Sequence, residues 1–123
     1  MIHYVNDNLL NSKCDYICHQ VNCQGKMNSG VAKAIREKWP VVYDAYQYWQ
    51  MSYDAWAHSA ATSEDRRNEL LGIVMLGRVL SVPVSEDQTV LNLAAQLNYG
   101  YDGKRYTSYD AFWMCLGNIK EIV

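Results

Sequence analysis

The chain has 123 residues, half of them apolar, which is enough for the core of one domain. It carries 11 basic and 13 acidic residues, so it lacks the basic excess of a nucleic-acid-binding protein. We find no secretory signal and no apolar run near the roughly 18 residues that cross a bilayer. The sequence therefore predicts a cytoplasmic protein without nucleic-acid or membrane partners. The four cysteines lack C-x-x-C spacing, so we expect reduced thiols, no metal site and no cofactor.

The N-terminal part of the chain predicts two strands separated by turns. Residues 2–5 form a short apolar run, and residues 6–8 are rich in turn formers. Leu9 and Leu10 then pack inward, and residues 11–13 make a second turn. Residues 15–21 predict the next strand, whose near-continuous apolar start indicates burial on both faces.

The segment that follows has the parts of an anion-binding site. Residues 17–35 read ICHQVNCQGKMNSGVAKAI, which gives a strand, a loop with Gly25 and Gly30, and a helix over residues 31–39. Glycines let a backbone approach a phosphate, and the first N–H groups of a helix point at it. Ser29 or Asn28 is the candidate cap of this helix. The glycine spacing matches neither the Walker nor the dinucleotide pattern.

A second, aromatic helix is predicted after Pro40, which ends the first helix or starts the next. Apolar residues recur at steps of four and three on one face, and polar residues lie opposite. The apolar set is Val42, Tyr46, Trp49, Tyr53 and Trp56, and the polar set is Asp44, Gln47 and Gln50. The aromatic residues fit either a helix packed on a core or a stacking platform for single-stranded nucleic acid. We favour the packed helix, because the charge is wrong for a groove that follows a phosphate backbone.

The second half of the chain predicts a hairpin and a final helix. Residues 62–68 form a solvated loop or a short helix beginning at Ser63, and Gly72 and Gly77 interrupt residues 70–84. Residues 78–84 and 89–95 are strands joined by a turn at residues 85–88. After a polar loop from residue 96 to 105, Thr107 or Ser108 caps a helix over residues 109–119. Because strands and helices interleave, the fold class is α/β.

Residues 19–32, HQVNCQGKMNSGVA, resemble the ADP-ribose-binding signature of macro domains. The similarity is closest to the branch of ADP-ribose 1''-phosphate phosphatases and small ADP-ribosyl-glutamate hydrolases. Phage and bacterial members resemble the chain again at residues 76–79 and through 92–116, mainly in QLNYG and RYTSY. The resemblance implies one macro-like domain over residues 1–123, with a mixed sheet between helices. It also implies that ADP-ribose binds at the C-terminal ends of strands, as is general for open α/β sheets.

The resemblance implies a role for each position of the signature. Asn22 contacts the distal ribose, and backbone N–H groups of the next loop hold the diphosphate. Asn8 accepts a hydrogen bond from adenine, or Asp7 does if the register is shifted by one. Gln24 replaces a second asparagine, and His19 is the catalytic residue of phosphatase-like members. The diphosphate loop is formed by Ser29, Gly30, Val31 and Ala32. Considered without the resemblance, a histidine at a strand end is more often structural than catalytic. In the same alternative interpretation Asn22 caps a turn and Asn8 is a turn former.

The chain also departs from the family pattern. Macro domains continue past the helix that ends here near Val123 with a strand, a second glycine-rich loop, a helix and a last strand. The lysine of the hydrolase branch corresponds to Gln96, and its acid has no counterpart. Our leading hypothesis is therefore binding of ADP-ribose or a related nucleotide, and the alternative is a phosphatase or deADP-ribosylating hydrolase. A third hypothesis is a protein-interaction module that uses residues 42–56. An open sheet edge would favour a homodimer or a domain-swapped assembly.

Overall fold

In the computed structural model of the protein, residues 8–97 and 109–122 are described. Within them, a 3-10 turn at Leu9–Asn11 precedes three strands and four helices. In chain order these are β1 (Tyr16–Asn22), α1 (Gly30–Lys38), α2 (Pro40–Ala60), α3 (Glu64–Met75), β2 (Val79–Pro83), β3 (Thr89–Gln96) and α4 (Tyr109–Ile122). The strand predicted at residues 2–5, most of the loop at 96–105 and the caps Thr107 and Ser108 lie outside the described residues.

The described strands form one mixed sheet in the order β1-β3-β2. β1 runs parallel to β3, with Ile17 opposite Val90, and β2 runs antiparallel to β3, with Val82 opposite the same residue. The connection from β2 to β3 is the predicted hairpin, closed by a hydrogen bond from Val84 N to Gln88 O. The parallel pair is joined instead through the helices, because parallel strands need a long crossover.

Helices cover both faces of the sheet, which confirms the predicted α/β architecture. On one face, α1 and α2 bury a core of Ile17, Val21, Ile35, Val42, Tyr46, Val82, Val90 and Ala94 with Met27. On the other face, α4 packs Cys115, Phe112 and Ile119 against Leu91 and Leu93. The C-terminal end of β1 and the loop after it therefore lie between two helical layers.

The prediction that β1 is buried on both faces is wrong. Ile17, His19 and Val21 are buried, but Tyr16 and Cys18 on either side of Ile17 are exposed, so this strand alternates. The strand buried on both faces is β3, which lies between its two neighbours in the sheet. An apolar run alone does not tell a central strand from an edge strand, because that depends on strand order.

Helix α2 is longer than predicted, and its buried face is shifted. Pro40 occupies its first turn, where the missing N–H costs nothing. The buried positions are Val42, Tyr46, Gln50 and Ala57, whereas Trp56 is 46% exposed. Gln50, predicted on the wetter side, is buried because its amide donates to the carbonyl of Cys23 at 3.0 Å. None of the helices in residues 8–97 and 109–122 has the length and hydropathy that crossing a membrane requires.

Helix α3 includes Gly72, which we had predicted to interrupt this region. A helical glycine costs only about 1 kcal/mol relative to alanine, and burial of Leu71 and Met75 offsets it. The hydroxyl of Ser63 caps the helix by accepting from Arg66 N at 3.2 Å. An ion pair of 2.6 Å between Arg67 Nε and Asp54 Oδ1 then ties α3 to α2.

The two serines that precede helices predict a matched pair of stability effects. Ser63→Ala removes the cap of α3, so we expect the free energy of unfolding to fall by about 1 kcal/mol. Ser29 precedes α1 but makes no capping hydrogen bond, so Ser29→Ala should change it by less than about 0.5 kcal/mol. Urea denaturation of both variants measures this difference. Equal losses in the two variants would contradict the assignment of these caps.

Candidate functional site

A cavity of about 680 Å³ opens beside β1 between α1 and α4. Five consecutive residues of β1, from Cys18 to Asn22, line it. Successive side chains of a strand point to opposite faces of the sheet, so a cavity on one face contacts every second residue. A cavity that contacts consecutive residues must lie at the edge of the strand. The remaining described lining residues are Leu9, Lys26, Asn28, Ser29, Val31, Ala32, Leu93, Gln96, Phe112, Leu116 and Ile119. The floor of the cavity is thus the outer edge of β1.

The N-terminus of α1 forms one wall of this cavity. Gly30 adopts a φ of +60°, which favours glycine, and the first α-helical hydrogen bond runs from Lys33 N to Ser29 O. The N–H groups before Lys33 therefore have no partner within the helix. Ser29 provides no side-chain cap, and the Asn28 side chain accepts instead from Arg36 Nη1 at 3.0 Å. An uncapped helix start on a cavity wall favours an anionic ligand.

Lys26 adds a positive charge to the same wall. It is exposed, and among the described lining residues it is the one charged side chain. We did not predict this residue as part of the site. Its position in the loop between Gly25 and Ser29 could have indicated it, because a cation near a helix N-terminus reinforces the attraction of an anion. Together the lysine and the helix start give the cavity a positive end.

Asn22 shapes the loop that carries Lys26. Its side-chain oxygen accepts from the backbone N–H of Gln24 at 2.9 Å and of Lys26 at 3.3 Å. Its amide nitrogen donates to the carbonyl of Lys26 at 2.9 Å. The side chain is 94% buried in this turn and still borders the cavity. Asn22 therefore acts as a turn former, as the alternative prediction held, in a place where it reaches the site.

Two buried residues of α2 hold the loop from below. The Tyr46 hydroxyl lies 2.6 Å from the carbonyl oxygen of Asn22 and accepts from Gly25 N at 3.1 Å. Burial raises the pKa of Tyr46, so the hydroxyl keeps its proton for donation. Gln50 donates to the carbonyl of Cys23, and its side chain passes close over Gly25, whose φ of +79° again favours glycine. Tyr46 and Gln50 fix the loop's backbone.

His19 lies on the α1–α2 face of the sheet, between Ile17 and Val21 on the same side of β1. Its Nε2 is 2.6 Å from Asn92 Oδ1, and Asn92 Nδ2 donates to Leu80 O at 3.0 Å. The Asn92 oxygen is thus an acceptor, and His19 carries its proton on Nε2. Nδ1 is buried and has no hydrogen-bond partner in the described structure. Burial lowers the pKa of His19, so its ring is neutral at pH 7.

The other predicted site residues are spread around the loop. Gln24 does not line the cavity, and its side-chain amide donates to the carbonyl of Leu97 at 3.0 Å. Asn8 accepts from Leu10 N at 3.0 Å at the 3-10 turn, next to Leu9, which lines the cavity. Gln96 lines the cavity beside Gln20, with 3.3 Å between their side-chain amides. Asp7 lies outside the described residues.

The structure resembles several solved macrodomains. Over 99% of this chain, it matches the macrodomain of Mycobacterium tuberculosis DarG with a TM-score of 0.70 and 18% identity. It also matches the macrodomain of Thermus aquaticus DarG over 99% of this chain, with a TM-score of 0.69 and 19% identity. A macrodomain protein from Streptomyces coelicolor matches 88% of this chain with a TM-score of 0.62 and 24% identity. The chain has the macrodomain fold.

The macrodomain fold confirms the resemblance drawn from residues 19–32 at the level of fold. The chain covers 67%, 70% and 59% of the lengths of these three structures, respectively. No protein-family model and no curated protein sequence matches the chain. The functional assignment therefore depends on the site itself.

The hydrogen bonds of Tyr46 predict the effect of removing its hydroxyl. Tyr46→Phe leaves the Asn22 carbonyl and the Gly25 N–H unpaired in a buried place, so unfolding should become easier by about 1–3 kcal/mol. The Gly25 amide should also exchange its hydrogen faster. Tyr48, which is 80% exposed, supplies the control, since Tyr48→Phe should have no effect. Chemical denaturation and hydrogen exchange measure both variants. An unchanged exchange rate of the Gly25 amide in Tyr46→Phe would contradict the proposed role of the Tyr46 hydroxyl.

Buried His19 predicts a pH dependence of stability. Its folded-state pKa is lowered from 6.5, so the unfolded chain binds the proton more readily and stability falls as the pH drops below about 6.5. The contribution of this residue to the change in unfolding free energy is at most about 1.4 kcal/mol per pH unit, and it vanishes below the folded-state pKa. His19→Gln should flatten the curve below about pH 6.5. Equal slopes in wild type and His19→Gln would refute the assignment.

Proposed function

We propose that the protein binds ADP-ribose or a related ADP-ribose-derived nucleotide in the cavity beside β1. The observation that carries this proposal is the uncapped N-terminus of α1 on the cavity wall, with Lys26 beside it, in a macrodomain fold. A diphosphate accepts hydrogen bonds from several N–H groups at once, and the helix dipole favours its charge. The loop from Ser29 to Ala32 is its binding site.

Each end of the nucleotide has a candidate neighbour. The side-chain oxygen of Asn22 is used within the loop, and one hydrogen of its amide nitrogen bonds to the Lys26 carbonyl. The amide nitrogen has a second hydrogen, which supports the assignment of Asn22 to the distal ribose. Asn8 precedes Leu9, a lining residue, which supports its assignment to the adenine end. The apolar side chains of Phe112, Leu116 and Ile119 form a hydrophobic wall for the nucleotide.

We favour binding over hydrolysis because the described lining lacks an activated acid, base or nucleophile. His19 borders the cavity, but its Nδ1 is buried and its Nε2 is hydrogen-bonded to Asn92, so neither ring nitrogen is presented to a ligand. The Cys18 thiol is exposed, but partial burial raises its pKa, so it stays protonated at neutral pH. Gln96, where the hydrolase branch has a lysine, carries no charge. General acid–base catalysis needs a titrating group within reach of the reacting atoms.

The protein-interaction hypothesis has weaker support. Tyr46 of the aromatic helix is fully buried, and Trp49 and Tyr53 are partly buried in edge-to-face contact at 5.8 Å. Tyr48 and Trp56 are exposed, but separate aromatic side chains on a helix surface are a normal feature. Most aromatic residues of α2 thus serve the core, as predicted.

Glutamate substitutions at two exposed glycines test the proposed nucleotide site. Gly30→Glu strains a left-handed residue and puts a carboxylate at the diphosphate loop, so we expect affinity for ADP-ribose to fall by about 10–100-fold. Gly117→Glu adds the same side chain to an open position of α4 and should leave the affinity within about twofold. Isothermal titration calorimetry measures all three proteins. The absence of binding heat in the wild type at millimolar ADP-ribose would overturn the proposal.

A further inference from the structure

The backbone of Lys26 is held in place, although its side chain is exposed. The side-chain oxygen of Asn22 accepts from Lys26 N at 3.3 Å, and the Asn22 amide nitrogen donates to Lys26 O at 2.9 Å. Of its two neighbours in the chain, Gly25 donates from its N–H to the Tyr46 hydroxyl at 3.1 Å, and Met27 is fully buried. The main chain of Lys26 is therefore fixed beside the cavity, whereas its exposed ammonium group is able to move towards a ligand.

The positive charge of Lys26 has no acidic partner in the part of the chain that the structure describes. The ion pairs found there involve Arg66 and Arg67. The described lining of the cavity contains no carboxylate. On α1 the acidic residue is Glu37, about 10 Å along the helix axis from Gly30 at a rise of about 1.5 Å per residue. An anion that binds beside Lys26 therefore has no carboxylate of the described lining to displace.

Lys26 lies at the sugar end of the nucleotide, in the orientation given above. That orientation places the distal ribose at Asn22, the diphosphate at the N–H groups of residues 29–32 and the adenine at Asn8. Two hydrogen bonds join the side chain of Asn22 to the main chain of Lys26, so the lysine belongs to the Asn22 end of the cavity. Of the two phosphates, the one next to the distal ribose is therefore the nearer to Lys26.

We propose that Lys26 is a specificity-determining residue that favours nucleoside diphosphates and their sugar esters over nucleoside monophosphates, by pairing with the phosphate next to the distal ribose. This role rests on the proposed function, because it uses the same cavity and the same orientation of the nucleotide. The N–H groups of α1 are fixed donors, and the lysine adds a mobile charge at the second phosphate. The site then accepts ADP, which keeps the diphosphate and lacks the distal ribose, and binds AMP more weakly.

Two variants that lose the same charge test this role of Lys26. Lys26→Gln keeps the main-chain bonds of the loop, and Lys33→Gln removes a lysine of α1 that lies outside the cavity lining. In isothermal titration calorimetry at about 20 mM salt, Lys26→Gln should weaken the binding of ADP-ribose and ADP about tenfold. The affinity for AMP should change by less than about twofold, as should all three affinities in Lys33→Gln. Lys26→Arg keeps the charge and should stay within about threefold of the wild type.

The salt dependence of binding gives a second readout, which a change in loop structure would not produce. Salt screens exposed charges, so the difference between wild type and Lys26→Gln should shrink from about tenfold to about threefold or less at about 0.5 M salt. Equal losses in Lys26→Gln and Lys33→Gln would overturn the role of Lys26, as would equal losses for AMP and ADP. In either case, binding of ADP-ribose by the wild type would leave the proposed function standing. A wild type that binds neither ADP-ribose nor ADP would overturn both proposals.

Discussion

The site depends on one buried set of hydrogen bonds, those that join Tyr46 and Gln50 of α2 to the loop after β1. The loop turns through Gly25 at positive φ, and its backbone groups at Asn22, Cys23 and Gly25 are satisfied by these two side chains. An unpaired group in such a place costs more than an ordinary hydrogen bond gains, so the loop is held in one shape. The position of Lys26 and of the α1 N-terminus follows from that shape.

The resulting cavity is suited to hold an anion more than to transform it. Free N–H groups of α1 and the charge of Lys26 attract phosphate, and the apolar wall from α4 excludes water. The His19 imidazole and the Cys18 thiol beside the cavity are neutral, since burial keeps His19 unprotonated and Cys18 protonated. The hydrogen bond from His19 to buried Asn92 ties β1 to β3 across the middle of the sheet. His19 is therefore better placed to stabilise the strands than to exchange protons with a substrate.

The same strand serves two purposes in this arrangement. The C-terminal end of β1 leads into the loop before α1, and the outer edge of β1 forms the floor of the cavity.

The sequence alone determined two local elements: the strand–loop–helix signature at residues 17–35 and the hairpin at residues 85–88 both depend on near neighbours. For residues 62–68 it left a loop and a helix beginning at Ser63 as alternatives. It did not reveal that Gln50 is buried, that Gly72 stays helical or that β1 alternates. Gln50 is inside only because the carbonyl of Cys23, 27 residues away, needs a donor there. Gly72 is held by the packing of its neighbours, and exposure of β1 depends on strand order. The sequence thus determined which chemistry is present, and the tertiary structure decided which groups are free to use it, because burial and long-range hydrogen bonds set their charge and reach.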